Sequence, residues 1–242
     1  MSRGTLILMM SFLGTCASAQ QITQPPATPA PATPPAAKTA VPSLRGKLIY
    51  KPIGRGAPAG RVDAGSRGDG GDVASLYVLA PDHVGLTTHS QPSLFWYQTA
   101  PAHLPFEISI LKPNDPTPVL RIRRPDAAAS GFQHLDLAAH GVSLVSGVDY
   151  QWVVALVRDP QSRSRDIVSS GWIRRVAAKS RLAGSSDPAV YADEGIWYDA
   201  VSALFEKIAA HPLDAQLASD RRDLLTQVGL PPLPVAPVSK RP

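Results

Sequence analysis

Arg158, Arg163, Arg165, Arg174 and Arg175 are the residues of this chain best suited to a chemical task. A guanidinium stays charged at any working pH and presents a planar fork of N–H donors that matches carboxylates and phosphates. Arg158, Arg163 and Arg165 crowd the turn Asp159-Pro160-Gln161-Ser162, and Arg174 and Arg175 follow close behind in sequence. Loops at one end of a β-rich domain are its usual binding surface. The cluster therefore predicts an electropositive patch for a protein partner or an acidic surface polymer such as a glycan. The plainer reading is a solubilising turn balanced by Asp159 and Asp166.

Other chemistry leaves little trace. The histidines at 83, 89, 103, 134, 140 and 211 are scattered, with no His-Glu-x-x-His and no zinc-like spacing. Asp63, Asp69 and Asp72 lack the ligand pattern of a calcium loop. No metal and no cofactor is expected. There is no Gly-x-Ser-x-Gly elbow, so the commonest serine-hydrolase arrangement has no support. A glycosidase-like carboxylate pair needs no local motif, but the glutamates are only Glu107, Glu194 and Glu206, two of them on helical segments. Gly54-Arg55-Gly56 and Gly65-Ser66-Arg67-Gly68 lack the Gly-Lys ending of a phosphate loop, and Arg67-Gly68-Asp69 is too short to weigh. Trp96, Trp152, Trp172 and Trp197 suggest a sugar-stacking platform or, given their apolar neighbours, core packing.

The expected function is thus a non-catalytic interaction or structural module of the cell envelope. The alternative is a hydrolase of cell-surface glycans or esters whose site is assembled from distant residues. A formal charge of +5 is mild for 242 residues. It favours anionic surfaces and gives no nucleic-acid-binding stripe.

The elements that must carry these residues are mainly strands. Ser75 to Ala80, Leu94 to Thr99, Phe106 to Leu111, Val119 to Arg123, Phe132 to Leu137, Tyr150 to Val157 and Ile167 to Val176 are short apolar segments punctuated by turn residues. Phe106, Ile108 and Ile110 alternate with Glu107 and Ser109, and Leu120 and Ile122 with Arg121 and Arg123. That period of two buries one face and wets the other. Leu144-x-x-Gly147-x-x-Tyr150-x-Trp152 is similar to the tyrosine corner of immunoglobulin-like and fibronectin type III domains. The fold predicted over 72–180 is an antiparallel β-sandwich of that type.

A helical period follows. Asp187-Pro188 has the cap and first-turn proline of a helix start, and Trp197, Val201, Leu204 and Ile208 repeat at helical spacing until His211-Pro212. Leu217, Leu224 and Val228 repeat on a second helix that Gly229 ends. A helical hairpin over 181–230, packed on the sandwich, is the prediction.

Residues 1–19 have the charged start, short apolar run and Ala17-Ser18-Ala19 ending of a secretory signal peptide. The run is too short for a transmembrane helix. Cleavage after Ala19 competes with lipidation at Cys16, within Leu13-Gly14-Thr15-Cys16. Either makes the protein exported, periplasmic or extracellular in the first case and lipid-anchored in the second. The Pro/Ala-rich then Gly-rich stretch 20–71 reads as a disordered linker, and 231–242 as a disordered tail.

Gly85-Leu86-Thr87-Thr88, Pro92-x-x-Phe95-Trp96, Gly171-Trp172-Ile173-x-Arg175-Val176 and Tyr191-Ala192-x-x-Gly195-Ile196-Trp197-Tyr198-Asp199-Ala200 occur in one order. Together they resemble the bacterial exported family catalogued as domain of unknown function number 928, from about Arg67 to Leu230. The resemblance implies export and this fold but supplies no catalytic residues. Such proteins often carry two cysteines where this chain has Gly70 or Gly71, and Arg158. The resemblance implies that those cysteines pair, a contribution of about 2–4 kcal/mol that packing must replace here.

Overall fold

The computed structural model describes residues 48–53, 60–62, 74–125 and 130–234. The expected signal peptide, Cys16, Gly70 and Gly71 lie outside them. The strands are β1 Leu76–Val78, β2 Gly85–Thr87, β3 Ser93–Gln98, β4 Phe106–Leu111, β5 Leu120–Arg124, β6 Gly131–Asp136, β7 Asp149–Leu156 and β8 Ile167–Arg175. They form a three-stranded sheet, β1-β3-β6, and a five-stranded sheet, β2-β8-β7-β4-β5.

Strand alternation explains the layers. Phe106, Ile108 and Ile110 of β4, Trp152 and Val154 of β7, and Leu94 and Trp96 of β3 are all buried in one core. Trp96 stacks on Phe106 with ring centroids 5.5 Å apart, so the inner faces of the two sheets meet across this pair. The sheet edges are joined by Ser169, whose hydroxyl accepts from Val78 N–H at 2.9 Å and donates to the Val62 carbonyl at 3.0 Å. At the approach to β7 the Tyr150 hydroxyl accepts from Val145 N–H at 3.1 Å.

Not every strand is antiparallel. β2, which no sequence period announces, runs parallel to β8 along Gly85–Thr87. Three residues are too few to display alternation, and this strand is held by side chains of a helix.

Three helices follow instead of the expected two: α1 Pro188–Asp193, α2 Trp197–Ala210 and α3 Ala215–Gln227. Asp187 caps α1 by accepting from Ala189 N–H. The break between α1 and α2 falls at Gly195, with φ +71°. Gly195 N–H bonds to Ala192 O and Ile196 N–H to Tyr191 O, the paired closure of a Schellman motif. A Cβ at Gly195 would lie 2.6 Å from Lys51 O, so glycine is required there twice over. Among the described residues no helix is long and apolar enough to cross a membrane.

α2 and α3 lie against the outer face of the three-stranded sheet. Phe205 of α2 packs on Phe95 and Phe132 at 4.7 and 5.2 Å. The amino-terminal turn of α2 instead fills the space beside β1 and β8: Trp197 Nε1 donates to Leu79 O at 2.9 Å. Tyr198 accepts from Trp152 Nε1 at 2.8 Å and donates to Trp172 O at 2.9 Å.

Packed structure also starts well before the expected boundary near Asp72. Leu48 and Tyr50 are core residues. Tyr50 N–H donates to Gln227 Oε1, Gln227 Nε2 donates to Leu48 O, and Lys51 N–H donates to Ala192 O. Val62 bridges Ser170 in both directions, while Arg61 reaches the carbonyls of Ala80, Val228 and Gly229. The segment thus ties helices to sheet. At the other end, Leu233 still packs against the core.

Candidate functional site

The predicted arginine patch divides. β8 is an extended strand of nine residues, about 30 Å at its rise of 3.3 Å per residue. Arg163 and Arg165 precede it, and Arg174 and Arg175 end it. Arg174 forms a bidentate pair with Asp149, its NH2 2.7 Å from Oδ2. Arg175 NH1 donates to Leu144 O. These two are engaged in the fold, away from the turn.

At the turn itself the structure supplies different neighbours. β5 pairs with β4 in a register that puts Arg123 opposite Glu107. Arg123 Nε donates to Glu107 Oε2 at 2.7 Å, Arg163 NH1 lies 3.6 Å from the same oxygen, and Arg121 Nε lies 3.7 Å from Oε1. Arg163 Nε also pairs with Asp166 Oδ2 at 2.7 Å, and Asp166 accepts from the Arg158 backbone N–H. The acids lie underneath, the Glu107 and Asp166 side chains only 10% and 2% exposed. The arginines lie on top, those of Arg121, Arg123 and Arg163 being 45%, 66% and 45% exposed. Arg158 and Arg165 are exposed in the same turn. Arg121 and Arg123 carry a signal in the sequence: they alternate outward on a strand that follows the Glu107 strand by one turn.

A second constellation joins two of the recognised sequence blocks. Asp199, in the first turn of α2, is buried at 1% exposure against β2. Its carboxylate accepts from the Thr87 hydroxyl at 2.6 Å, from Thr88 N–H at 3.0 Å and from the Thr88 hydroxyl. His89 Nδ1 lies 3.5 Å away, on a half-exposed imidazole. The adjacent Tyr198 ring crosses Gly85 so closely that a Cβ there would sit 2.6 Å from Cε2. The Gly-Leu-Thr-Thr and Gly-Ile-Trp-Tyr-Asp-Ala blocks are therefore two halves of one latch. An aspartate among apolar helix residues is the sequence signal for it, since a buried carboxylate requires donors.

Burial pushes the Asp199 pKa up, but the bonds from His89, Thr87 and Thr88 outweigh it and hold the carboxyl below its ordinary value. The bond to Asp199 raises the His89 pKa, against burial and with help from Asp199 and Glu206 charge. His89 therefore stabilises the fold below about pH 6.5, its unfolded value, and loses that contribution as pH rises through its raised folded value. Asp199 contributes above about pH 3.9 and loses its contribution as pH falls through its lowered value. The stability gap between the natural chain and His89→Gln, followed by urea unfolding, should be wider at mildly acid than at mildly alkaline pH. A gap independent of pH would contradict the pairing.

Elsewhere, Trp96, Trp152 and Trp197 are buried and Trp172 is half-buried, a packing arrangement. Glu194 is bound by Lys179 and Arg181, far in role from Glu107. His83 joins Tyr50 and Asp82, each at 2.9 Å, and His134 stacks on Phe95. Among the described residues no group of three or more His, Cys, Asp or Glu side chains is placed to hold a metal ion.

Residues 62–238 match the family described as Domain of Unknown Function (DUF928), and over that span the chain belongs to it. No curated protein matches the chain.

Proposed function

We propose that this DUF928 member is a non-catalytic binding module whose arginine-covered face takes an anionic polymer or the acidic surface of a protein. One observation carries the reading: three guanidinium groups stand in solvent above two buried carboxylates. Arg123 alone hydrogen-bonds Glu107, at 2.7 Å, whereas Arg121 and Arg163 stand 3.7 and 3.6 Å from its carboxylate, so pairing one buried glutamate gives little reason for three arginines around it. Glu107 instead fixes their positions while leaving positive charge unspent, and a preorganised surface loses less entropy on binding.

The same proposal places the protein in the envelope, exported through residues 1–19 and then periplasmic, extracellular or anchored at Cys16. It reads the two sheets as an immunoglobulin-like or fibronectin-III-like sandwich, supported by the strand orders and the Tyr150–Val145 bond.

Titration with poly-glutamate tests the face. Replacing Arg121, Arg123 and Arg163 together by Gln should weaken binding by about tenfold or more, roughly 1.4 kcal/mol. Glu107→Gln keeps an amide oxygen that can accept from Arg123 and hold the arginines in place, so it should tighten binding, because a buried negative charge is removed from beneath the ligand. Unchanged affinity in both variants would contradict the proposal.

The half-exposed His89 held by buried Asp199 favours a second reading, a hydrolase in which that pair acts as base and orienting carboxylate. Turnover of an ester or glycan that His89→Ala abolishes would establish it.

A further inference from the structure

Arg221 of α3 is 5% exposed, and its guanidinium carbon stands 4.3 Å above the centroid of Phe132 and 5.8 Å from that of Phe205. Aromatic faces attract a cation but use none of its five N–H donors. Among the described residues it has no hydrogen bond and no ion pair. Its surroundings disfavour the charge, since burial first and Arg222 second lower its pKa.

Tyr97 of β3, directly opposite Phe132 in the β3–β6 register, meets the same ring edge-on, centroids 4.8 Å apart. It is 2% exposed. Its hydroxyl also has no hydrogen-bond partner among the described residues, and Arg221 lies near enough for its charge to act on the phenol. Yet neither the guanidinium nitrogens nor the phenol oxygen is sealed from solvent. Two sets of unused donors thus flank one Phe132 ring on the outer face of the three-stranded sheet, with Phe205 beside them.

Buried charges in folded proteins are ordinarily paired, and none of the described residues supplies the acceptor here. We propose that Arg221 and Tyr97 form a binding site for a single carboxylate. The planar fork accommodates both carboxylate oxygens, and the phenol O–H supplies a further donor. One negative charge balances one cation, while the phenyl rings suit an apolar or aromatic body on the same ligand. The carboxylate belongs either to a small organic acid or to an acidic residue of a partner. This site is on the opposite sheet from the arginine face and stands independently of it.

Thermal unfolding of the folded chain with benzoate as probe, and benzamide as its neutral counterpart, tests the proposal. Ligand that binds only the native state raises the melting temperature with concentration. Benzoate should do so and benzamide should not. Arg221→Met retains an apolar stack on Phe132, so it should melt no lower than the natural chain and should lose the benzoate response. Tyr97→Phe should reduce the response, and it serves as the readout if the methionine variant does not fold. An Asp-terminated peptide that competes with benzoate would assign the carboxylate to a protein partner, whereas benzoate binding without competition would assign it to a small acid. Absence of any benzoate shift, an equal shift from benzamide, or a shift retained in Arg221→Met would overturn the site.

Discussion

Asp199→Ala is expected to destabilise the fold by about 3–5 kcal/mol, the cost of removing one partner from a buried charged network. The loss has named components. Thr87 and Thr88 would keep two hydroxyls and a backbone N–H facing a site with no acceptor, and each buried unsatisfied donor costs about 1–3 kcal/mol. β2 would lose its side-chain hydrogen bonds to α2, leaving its three-residue pairing with β8 and the Tyr198 ring against Gly85. Asp199→Asn should fall between, because its amide oxygen still accepts while its NH2 meets a hydroxyl. Equilibrium unfolding in urea reads both. A loss below about 1 kcal/mol for the alanine variant would mean that the latch does not hold α2 to the sheet.

Tyr50→Ala should cost a similar amount, about 3–5 kcal/mol, as for other buried aromatic truncations. The ring meets Trp197 edge-on, with centroids 4.9 Å apart, and the hydroxyl bonds His83 Nε2 at 2.9 Å. Burial, then the Asp82 charge, raises the phenol pKa far above its ordinary value, so it remains an uncharged hydrogen-bonding group. Truncation opens a cavity against the Trp197 indole. Tyr50→Phe retains the ring and should lose only about 1 kcal/mol, the net worth of one hydrogen bond. Melting of the two variants side by side checks the difference. Equal stability of Tyr50→Ala and the natural chain would show that residues 48–53 are a dispensable appendage.

That second case marks where the sequence stops being legible. Leu48 and Tyr50 lie among prolines and glycines, so local composition argues for a linker. Their burial depends on Trp197 and Gln227, which are distant in the chain. By contrast β4 is readable from Phe106, Ile108 and Ile110 alone, because period-two alternation is a local property. The start of α1 at Asp187-Pro188 is readable for the same reason. The break at Gly195 is harder: one glycine in a helical pattern is tolerated or terminating, and the Lys51 carbonyl pressed against it decides.

The arginines show the same division. Arg158, Arg163 and Arg165 share one turn in sequence and in space. Arg174 and Arg175 were near them only along the chain, and an extended strand converts that nearness into distance. Arg121 and Arg123 reach the cluster through the β4–β5 register, which fixes Glu107 beside them. Two of the most recognisable blocks, Gly-Leu-Thr-Thr and Gly-Ile-Trp-Tyr-Asp-Ala, turn out to build the latch between sheet and helix.

On this division of labour the arginine face carries binding and the Asp199 latch holds the helix to the sheet. Affinity for an anionic polymer, measured by titration at low and at high salt, tests this most directly. The natural chain should bind at low salt and release as exposed charges become screened, and the Arg121/Arg123/Arg163→Gln variant should bind about tenfold or more weakly while remaining folded, with some loss of melting temperature from Glu107 and Asp166 left without their cations. Binding that ignores salt, or an arginine-depleted variant that binds as the natural chain does, would contradict it.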